Sequence, residues 1–376
     1  MGELALILGG GGARAAYQAG VLQALVERHP DFAPKILTGV SAGAINVAFL
    51  ANGEGSMKER ADGLVHLWSH LEVKDVFQVS TFALLKKLIR AGLQLTVLGG
   101  RKHAPNMRGL VDTSPLRKFL VEALDSPGGP LAGIGRNIAR DQFKAVALTG
   151  TRYSTGETLT WCQGRDITNW NRPLRSGERA TLTVEHVLAS SALPLFFPAQ
   201  RVGEHWYGDG GIRLHSPLAP ALHLGADRLL AISTRYTRSR AEVESSDSRA
   251  YPPPAQVAGV LMNAIFLDLL DQDALVLERM NSLLQFVPQE FRQNLRRVRH
   301  VIIRPSIDLG RLSADYEVRL PGFFRFLTRR LGTKETKSPD LLSLVMFQGD
   351  YLRRLIDAGR RDFDHQADAV AELLAD

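Results

Sequence analysis

The chain has 376 residues, of which 45% are hydrophobic and 23% are charged, and its formal net charge is +7. This composition is typical of a folded globular protein and excludes an intrinsically disordered chain, and the length suffices for one large domain or two smaller ones. The single cysteine, Cys162, excludes an intramolecular disulfide and a cysteine-rich zinc site. Its apolar, strand-like surroundings predict that the thiol is buried.

Targeting and partner signals are sparse. The sequence contains no run of about 18 apolar residues, the length that a membrane-spanning helix needs, and no secretory signal peptide, so we expect a cytoplasmic protein. The excess of basic residues favours anionic partners, either nucleic acid or an acidic membrane surface. Because the arginines are scattered and no nucleic-acid-binding motif is present, we do not expect nucleic acid. A basic protein with no such partner is the simpler alternative.

The N-terminal part of the sequence predicts two strands that alternate with two helices. An apolar run at 4–8 predicts a buried strand, and helical spacing over 14–28 predicts a helix that packs on it. A second strand over 36–39 is followed by a small apolar helix over 43–51. This alternation indicates a parallel α/β sheet. The inner face of the first helix is predicted to contain Ala16, Ala19, Val21, Leu22 and Leu25.

Further elements follow at less regular intervals. A long, mostly helical insertion is predicted over 56–135, and an exposed loop over 236–254. The last third of the chain is helical in pattern apart from one strand at 301–303. Additional elements are predicted at 144–149, 158–162 and 228–233 as strands, and at 217–224 as a short helix.

Residues 39–43, Gly-Val-Ser-Ala-Gly, match the G-x-S-x-G pattern of a nucleophile elbow. In such an elbow a strand turns sharply into a helix so that the serine hydroxyl projects, and the flanking Gly39 and Gly43 remove steric clashes. The N-terminus of the helix also stabilises nearby negative charge. The pattern alone is common by chance, but its position between a predicted strand and a predicted helix favours Ser41 as a nucleophile.

A glycine run at 9–12 lies between the first predicted strand and the first predicted helix. Its successive backbone N–H groups are suited to bind a phosphate or the oxyanion of a tetrahedral intermediate. Dinucleotide binding is the alternative, although G-x-G-x-x-G is matched from Gly10 only with Ala15 at the last position. Dinucleotide binding also needs an acidic residue at the end of the second strand. Glu27 and Asp31 both precede that strand, so this alternative is disfavoured.

Asp209 is flanked by glycines, within Gly208-Asp209-Gly210-Gly211. Glycine allows the backbone to bend close to another loop. A carboxylate within hydrogen-bond reach of a serine hydroxyl can act as its base without a histidine. An acidic turn residue beside glycine usually has no catalytic role, but together with the two other motifs it predicts a serine–aspartate pair.

Taken in chain order, these motifs resemble the three motifs of the patatin-like phospholipases, which are G-G-G-x-R-G, G-x-S-x-G and D-G-[GA]. They occur at 10–15, 39–43 and 209–211, and a fourth stretch at 189–198 resembles the family's segment upstream of the aspartate. The resemblance covers about residues 4–235. It departs at Ala15, which replaces the last glycine of the first motif. Because alanine is the smallest change available, we expect the loop to be kept.

The resemblance implies a three-layer α/β/α domain and a lipid or ester acyl hydrolase that needs no metal or cofactor. By position, Ser41 attacks the ester carbonyl and Asp209 takes its proton, both in acylation and in the attack of water. Arg14 either fixes the glycine loop or adds positive charge near the acyl or phosphate group. The other implied site residues are Gly10, Gly11, Gly12 and Ala13 in the oxyanion hole, Gly39 and Gly43 in the elbow, and Gly210 and Gly211 beside the aspartate.

The resemblance also implies a domain organisation. We expect a patatin-like catalytic domain over 1–235 that carries the helical insertion at about 56–135. An exposed loop over 236–254 then leads to a mainly helical C-terminal region, 255–376, packed on the catalytic domain.

Three other functions have to be weighed. An ordinary α/β-hydrolase needs a histidine, and residue 41 is early in the chain for its nucleophile; His205 and His215, which flank Asp209, are the candidates for such a base, whereas His300 and His365 lack a loop context. An acyltransferase uses the same acyl-enzyme but passes the acyl group to an alcohol or thiol, and the sequence does not separate it from a hydrolase. A non-catalytic binding protein is disfavoured because both catalytic residues are present.

Two segments, 82–98 and 319–331, combine basic residues with large apolar ones. The first is compatible with a helix docked on the core and with one lying on an anionic bilayer. For the second we favour contact with a bilayer, or a lid, because aromatic residues and arginines interleave.

Overall fold

The computed structural model describes residues 2–78, 109–127, 129–237, 240, 242, 254–266, 269–293, 295–314, 316 and 340–375. The amphipathic segments at 82–98 and 319–331, and most of the loop predicted at 236–254, lie outside the described residues. Those expectations therefore stay predictions. Within the described residues, no helix combines the length and apolar character needed to cross a membrane.

The described part of the chain contains a ten-stranded sheet with the order β10-β9-β1-β2-β3-β4-β6-β5; β8 pairs with β3, and β7 with β8. The five strands from β10 to β3 are mutually parallel, whereas β4 and β8 run antiparallel to β3. The strands are β1 Glu3–Leu8, β2 Ile36–Val40, β3 Ala145–Arg152, β4 Glu157–Gly164, β5 Trp170–Arg172, β6 Arg175–Arg179, β7 Gln200–Val202, β8 His205–Asp209, β9 Ala226–Ile232 and β10 Arg299–Ile303.

Helices cover both faces of this sheet. They are α1 Ala16–Arg28, α2 Ala42–Asn52, α3 Met57–His70, α4 Val73–Val76, α5 Ser114–Ala123, α6 Ala132–Ala139, α7 Val184–Ser190, α8 Ala219–His223, α9 Pro254–Phe266, α10 Leu269–Leu284, α11 Leu309–Ser313, α12 Asp340–Val345 and α13 Gly349–Leu374. Short 3₁₀ turns occur at Gly12–Ala15, Gly210–Ile212 and Gln289–Phe291.

Two apolar cores separate the layers. In β1, Leu6 and Leu8 point into a large core shared with α1, α2, α3 and α13, while Ala5 and Ile7 point into a smaller core with α8 and α10. This two-sided burial explains why β1 is a continuous apolar run, as is usual for parallel strands covered on both faces. The expected three-layer α/β/α fold is confirmed.

The C-terminal region is built into the same structure. Strand β10 extends the parallel sheet beside β9, and the long helix α13 packs along α1. Residues of α13 such as Tyr351 and Phe363 belong to the large core. The proposed boundaries at 235 and 255 stay a prediction. One continuous core joins the residues on either side of them.

Candidate active site

Sheet topology brings the three sequence motifs to one edge. Strands β1 and β2 are parallel neighbours with Leu8 opposite Gly39, so the loops that follow them leave the sheet side by side. Strand β3 lies next to β2, and β8 runs back along the end of β3 with Asp209 opposite Gly150. The carboxyl ends of parallel strands are where open α/β sheets bind ligands. The glycine loop, Ser41 and Asp209 therefore meet at that edge.

Ser41 occupies a strained elbow between β2 and α2. Its φ of 57° and ψ of −132° lie in a region that non-glycine residues rarely adopt, at a cost of about 1–3 kcal/mol. The turn is tight: a Cβ at Gly43 would lie 2.2 Å from the Leu8 carbonyl oxygen, and one at Gly39 would lie 2.6 Å from the Gly43 carbonyl oxygen. Only glycine fits at these two positions, and the serine is thereby held at the start of the helix.

Ser41 and Asp209 are in direct contact. The Ser41 hydroxyl Oγ donates to Asp209 Oδ2 at 2.6 Å, and the Gly211 N–H donates to Oδ1 at 2.8 Å. The aspartate is fully buried, and this burial raises its pKa to about 7, against the lowering effect of the two hydrogen bonds. A carboxylate with a pKa near neutrality is well matched to general-base catalysis. The adjacent Gly210 lets this turn pack against β3, because a Cβ there would lie 2.2 Å from the Thr149 carbonyl oxygen.

The last residue of α7 and the residues just after it support both members of this pair. Ser190 Oγ accepts a hydrogen bond from the Ser41 N–H at 3.1 Å and donates one to the Thr149 carbonyl at 2.6 Å. Two residues later, the Ala192 carbonyl accepts from the Asp209 N–H at 2.9 Å. The fourth sequence motif, at 189–198, thus holds the backbones of the two dyad residues in a common frame.

The glycine loop passes directly beside Ser41. A Cβ at Gly10 would lie 3.1 Å from the Ser41 Cβ, and Gly11 and Gly12 have φ values of 147° and 55°. Within the described part of the chain, the N–H groups of Gly10, Gly11 and Gly12 donate to no backbone acceptor. Ala13 follows, buried in the 3₁₀ turn. Free backbone N–H groups next to a serine hydroxyl have the composition of an oxyanion hole.

Comparison with known families identifies the family to which this chain belongs. A model of patatin-like phospholipases matches residues 6–222, more than half of the chain. The chain belongs to the patatin-like phospholipase family. This assignment supports lipid hydrolase activity as the general class of function. A search of curated proteins gave no significant match.

Several solved structures are distantly similar to this patatin-like chain. VipD from Legionella pneumophila is 16% identical over 95% of this chain and 67% of its own, with a TM-score of 0.35. The type III effector ExoU, from Pseudomonas aeruginosa, is 16% identical over 94% and 53%, with a TM-score of 0.32. Human GIVD cytosolic phospholipase A2 is 12% identical over 99% and 59%, with a TM-score of 0.47. The chain thus spans only part of the length of these proteins. The family assignment rests on the match of residues 6–222 to the model of patatin-like phospholipases, and not on these structures.

Buried side chains donate hydrogen bonds to carbonyl groups of the patatin-type glycine loop. The Gly9 carbonyl accepts from Gln18 Nε2 at 2.9 Å. Gln18 Oε1 accepts from Asn46 Nδ2 at 2.9 Å, and Asn46 Oδ1 accepts from Trp68 Nε1 at 2.7 Å. Beside this network, Thr234 Oγ1 donates to the Gly10 carbonyl at 2.7 Å. The buried chain of side chains ties α1, α2 and α3 to the loop and fixes the direction of its peptide groups.

Sequence analysis missed this supporting network. Gln18 and Asn46 are fully buried polar residues, each with mainly apolar neighbours in its helix. That isolation was a usable signal, since a buried amide has to find hydrogen-bond partners. The partner of Ser190, by contrast, is 149 residues away in sequence and leaves no local pattern.

An apolar cavity opens from Ser41. It encloses about 720 Å³ of empty space including its mouth, within the usual size of a ligand pocket. Gly11, Gly12 and Ser41 form its polar end. The remaining wall is almost entirely apolar and includes Ile45, Trp68, Leu71, Leu116, Phe119, Leu193, Phe197, Leu344, Val345 and Phe347.

The histidines weighed as alternative bases lie elsewhere. His205 and His215 are both exposed, and among the described residues no histidine forms a hydrogen bond with Ser41 or Asp209. His300 contacts the Glu278 carboxylate at 3.4 Å, and His365 is exposed on α13. The hydrogen bonds of the site therefore favour the aspartate over a histidine.

Cys162 lies in β4 and is fully buried, as predicted. Burial raises the pKa of its thiol, which keeps it protonated and unreactive.

Proposed function

We propose that this patatin-like protein is a lipid acyl hydrolase of the phospholipase A, lysophospholipase or esterase type, with Ser41 as nucleophile and Asp209 as base. The observation that carries the proposal is the 2.6 Å hydrogen bond between Ser41 Oγ and the buried Asp209 carboxylate. The glycine loop beside Ser41 and the apolar cavity that opens from it support the same function.

Acylation uses each of these groups. The Asp209 carboxylate accepts the hydroxyl proton while Ser41 Oγ bonds to the ester carbonyl carbon. The carbonyl oxygen gains negative charge and is stabilised by N–H groups of Gly10, Gly11 and Gly12. When the intermediate collapses, the carbon–oxygen bond to the alcohol breaks and the leaving alkoxide takes the proton from Asp209.

Deacylation repeats the sequence with water. The Asp209 carboxylate accepts a proton from a water molecule whose oxygen attacks the acyl-enzyme carbonyl. Collapse releases the fatty acid and returns the proton to Ser41 Oγ. An acyltransferase would replace the water by an alcohol or thiol acceptor, and no feature of the site favours that acceptor.

Catalysis should depend on pH through Asp209. Because burial raises the pKa of this carboxyl to about 7, the base is protonated and inactive below that pH. We expect kcat/KM for a p-nitrophenyl ester to rise about tenfold per pH unit up to about pH 7 and then to level off. A profile that stays flat down to about pH 5 would contradict the raised pKa.

Product analysis tests the proposed function. Purified protein is incubated with phospholipid, lysophospholipid and monoacylglycerol, each with and without added glycerol as an acyl acceptor. We expect fatty acid release from at least one lipid and no acylglycerol formation above background. Failure to hydrolyse every lipid and every p-nitrophenyl ester would overturn the proposal, and transfer to glycerol in place of hydrolysis would identify an acyltransferase.

Contact with a lipid surface is the second part of the proposal. Helix α9 carries no charged residue and packs on the 3₁₀ turn that follows Asp209. Three of its apolar side chains, Val257, Val260 and Leu261, are 48%, 62% and 55% exposed. An apolar helix face at the rim of a lipid-cleaving site is suited to enter the interface of a bilayer, and the net charge of +7 favours an anionic one.

Charged substitutions on α9 test this contact. We expect Val260→Asp with Leu261→Asp to lower hydrolysis of anionic phospholipid vesicles at least about tenfold, because two apolar side chains no longer enter the interface. Hydrolysis of a soluble p-nitrophenyl ester should stay unchanged. Leu283→Asp is the matched control. Leu283 is also 62% exposed, but it lies at the end of α10 that packs near Val298. This end is beside the amino end of β10, whereas the site lies at the carboxyl ends of the parallel strands. Equal effects of both changes on vesicle hydrolysis would contradict the contact.

A further inference from the structure

Helix α12 lies far outside the family-matched region, yet it touches the glycine loop. The matched region ends at residue 222, whereas α12 spans Asp340–Val345. A Cβ at Gly12 would lie 2.1 Å from the Leu344 carbonyl oxygen, so the two backbones are in contact. Gly12 has a φ of 55°, which other residues rarely adopt. The conformation of the loop and the position of α12 are therefore mutually dependent.

Arg14 provides a second link between the loop and α12. Its side chain is 3% exposed, and Nε donates to Ser343 Oγ at 2.7 Å. One terminal nitrogen donates to Asp340 Oδ1 at 2.7 Å and to the Asp340 carbonyl at 3.3 Å. Ser343 Oγ in turn donates to that carbonyl at 2.6 Å. Charge-assisted bonds in so little water are strong and directional, so Arg14 is oriented by α12.

The same helix contributes to the wall of the substrate cavity. Leu344 and Val345, together with Phe347 just beyond the helix, line the cavity that opens from Ser41. The ring of Phe347 packs edge-on against Phe77, with centroids 6.4 Å apart. One short helix thus borders both the oxyanion loop and the apolar cavity.

We propose that Asp340 and Ser343 are positioning residues of the active site, which act through Arg14 on the amides of the glycine loop. This inference rests on the proposed hydrolase function and deepens it. Of the two roles expected for Arg14, the hydrogen bonds favour fixing the loop over placing charge near the substrate. The α12 helix is then an essential part of the catalytic site, contributed by the C-terminal region.

Asp340→Asn tests the positioning role. The substitution keeps the shape of the side chain but removes the charge that orients Arg14, so the loop amides lose their alignment with the oxyanion. We expect kcat for a soluble p-nitrophenyl ester to fall about 10- to 100-fold while KM changes by less than about threefold. Unchanged kcat would overturn the proposal.

Asp362→Asn is the matched control. Asp362 is a buried acidic residue of the C-terminal region that accepts from the Ser306 N–H at 2.9 Å, but it has no bond to the glycine loop. Its replacement should lower the melting temperature without a comparable loss of kcat. An equal fall in kcat for both variants would show a general structural effect and would overturn the proposal.

A double-mutant cycle separates action through Arg14 from other effects. If Asp340 acts only through Arg14, Arg14→Met with Asp340→Asn should be no slower than Arg14→Met alone. Fully additive losses in kcat would contradict the proposed linkage.

Hydrogen exchange supplies a readout that does not depend on activity. Amides in the peptide 9–15 should exchange faster in Asp340→Asn than in the wild type and at the wild-type rate in Asp362→Asn. If the wild type hydrolyses no ester, the proposed function fails, whereas unchanged exchange in Asp340→Asn overturns the positioning role alone. Faster exchange confined to Asp340→Asn supports that role.

Discussion

Ser41→Ala is expected to lower kcat for ester hydrolysis by at least about four orders of magnitude. The substitution removes the only atom that forms the acyl-enzyme, so water attack assisted by the remaining loop amides is all that survives. The fold should persist, because Ser41 is held through its backbone N–H, which donates to Ser190 Oγ at 3.1 Å. Hydrolysis of a p-nitrophenyl ester and thermal unfolding, measured on the same preparation, check both expectations.

Ser313→Ala is the matched control for this loss. Ser313 is fully buried, and its hydroxyl donates to the Gly310 carbonyl at 2.7 Å within α11. This variant should lose some stability but keep wild-type kcat. Retention of more than about a hundredth of the activity by Ser41→Ala would mean that another residue is the nucleophile.

Asp209→Asn is expected to lower kcat by about three to four orders of magnitude, the loss seen when the acidic member of a hydrolase triad becomes an amide. The asparagine can still bond to the Gly211 N–H and to Ser41, so the geometry of the elbow is preserved. It cannot accept the hydroxyl proton, and Ser41 remains a neutral, weak nucleophile. Single-turnover hydrolysis of a p-nitrophenyl ester measures the loss in the acylation step.

The same substitution should stabilise the fold at alkaline pH. Burial raises the pKa of Asp209 from 3.8 to about 7, so the folded state holds this proton more tightly than the unfolded state. Stability conferred by the neutral carboxyl is complete below about pH 4 and is lost as the pH rises to about 7, by up to about 4 kcal/mol. Asparagine does not ionise and avoids this loss.

Thermal unfolding at two pH values checks the sign. Asp209→Asn should melt at a higher temperature than the wild type at about pH 8, and the difference should vanish near pH 4. Asp62→Asn provides a comparison of opposite sign, because hydrogen bonds from Gln23 and Lys58 lower the pKa of Asp62. A wild type that is more stable than Asp209→Asn at pH 8 would mean that the aspartate is not a destabilising buried charge.

Local patterns in the sequence were sufficient for the first half of the site. The apolar run of β1, the amphipathic spacing of α1 and the small residues of α2 each specify one element, and all three form where they were predicted. The inner face predicted for α1, from Ala16 to Leu25, is buried. With glycines at both strand ends, these elements place Ser41 and the glycine loop at one edge of a parallel sheet.

The second half of the site depends on pairings that have no local signal. Strand β8, which carries Asp209, has exposed residues at its start and was not predicted, and neither were β5, β6 and β7. Its place is set by antiparallel pairing with β3, where Asp209 lies opposite Gly150. The link from Arg14 to Asp340 spans 326 residues. Such contacts form only because the whole core assembles, so single-sequence patterns do not report them.

Labelling with a long-chain fluorophosphonate, followed by mass spectrometric mapping of the adduct, tests the Ser41–Asp209 dyad most directly. The dyad predicts an adduct on Ser41 in the wild type and at an unchanged rate in a His205→Gln, His215→Gln double variant. In Asp209→Asn the labelling rate should fall at least about a thousandfold. An adduct on another residue, or wild-type labelling of Asp209→Asn together with loss of labelling in the histidine variant, would contradict it.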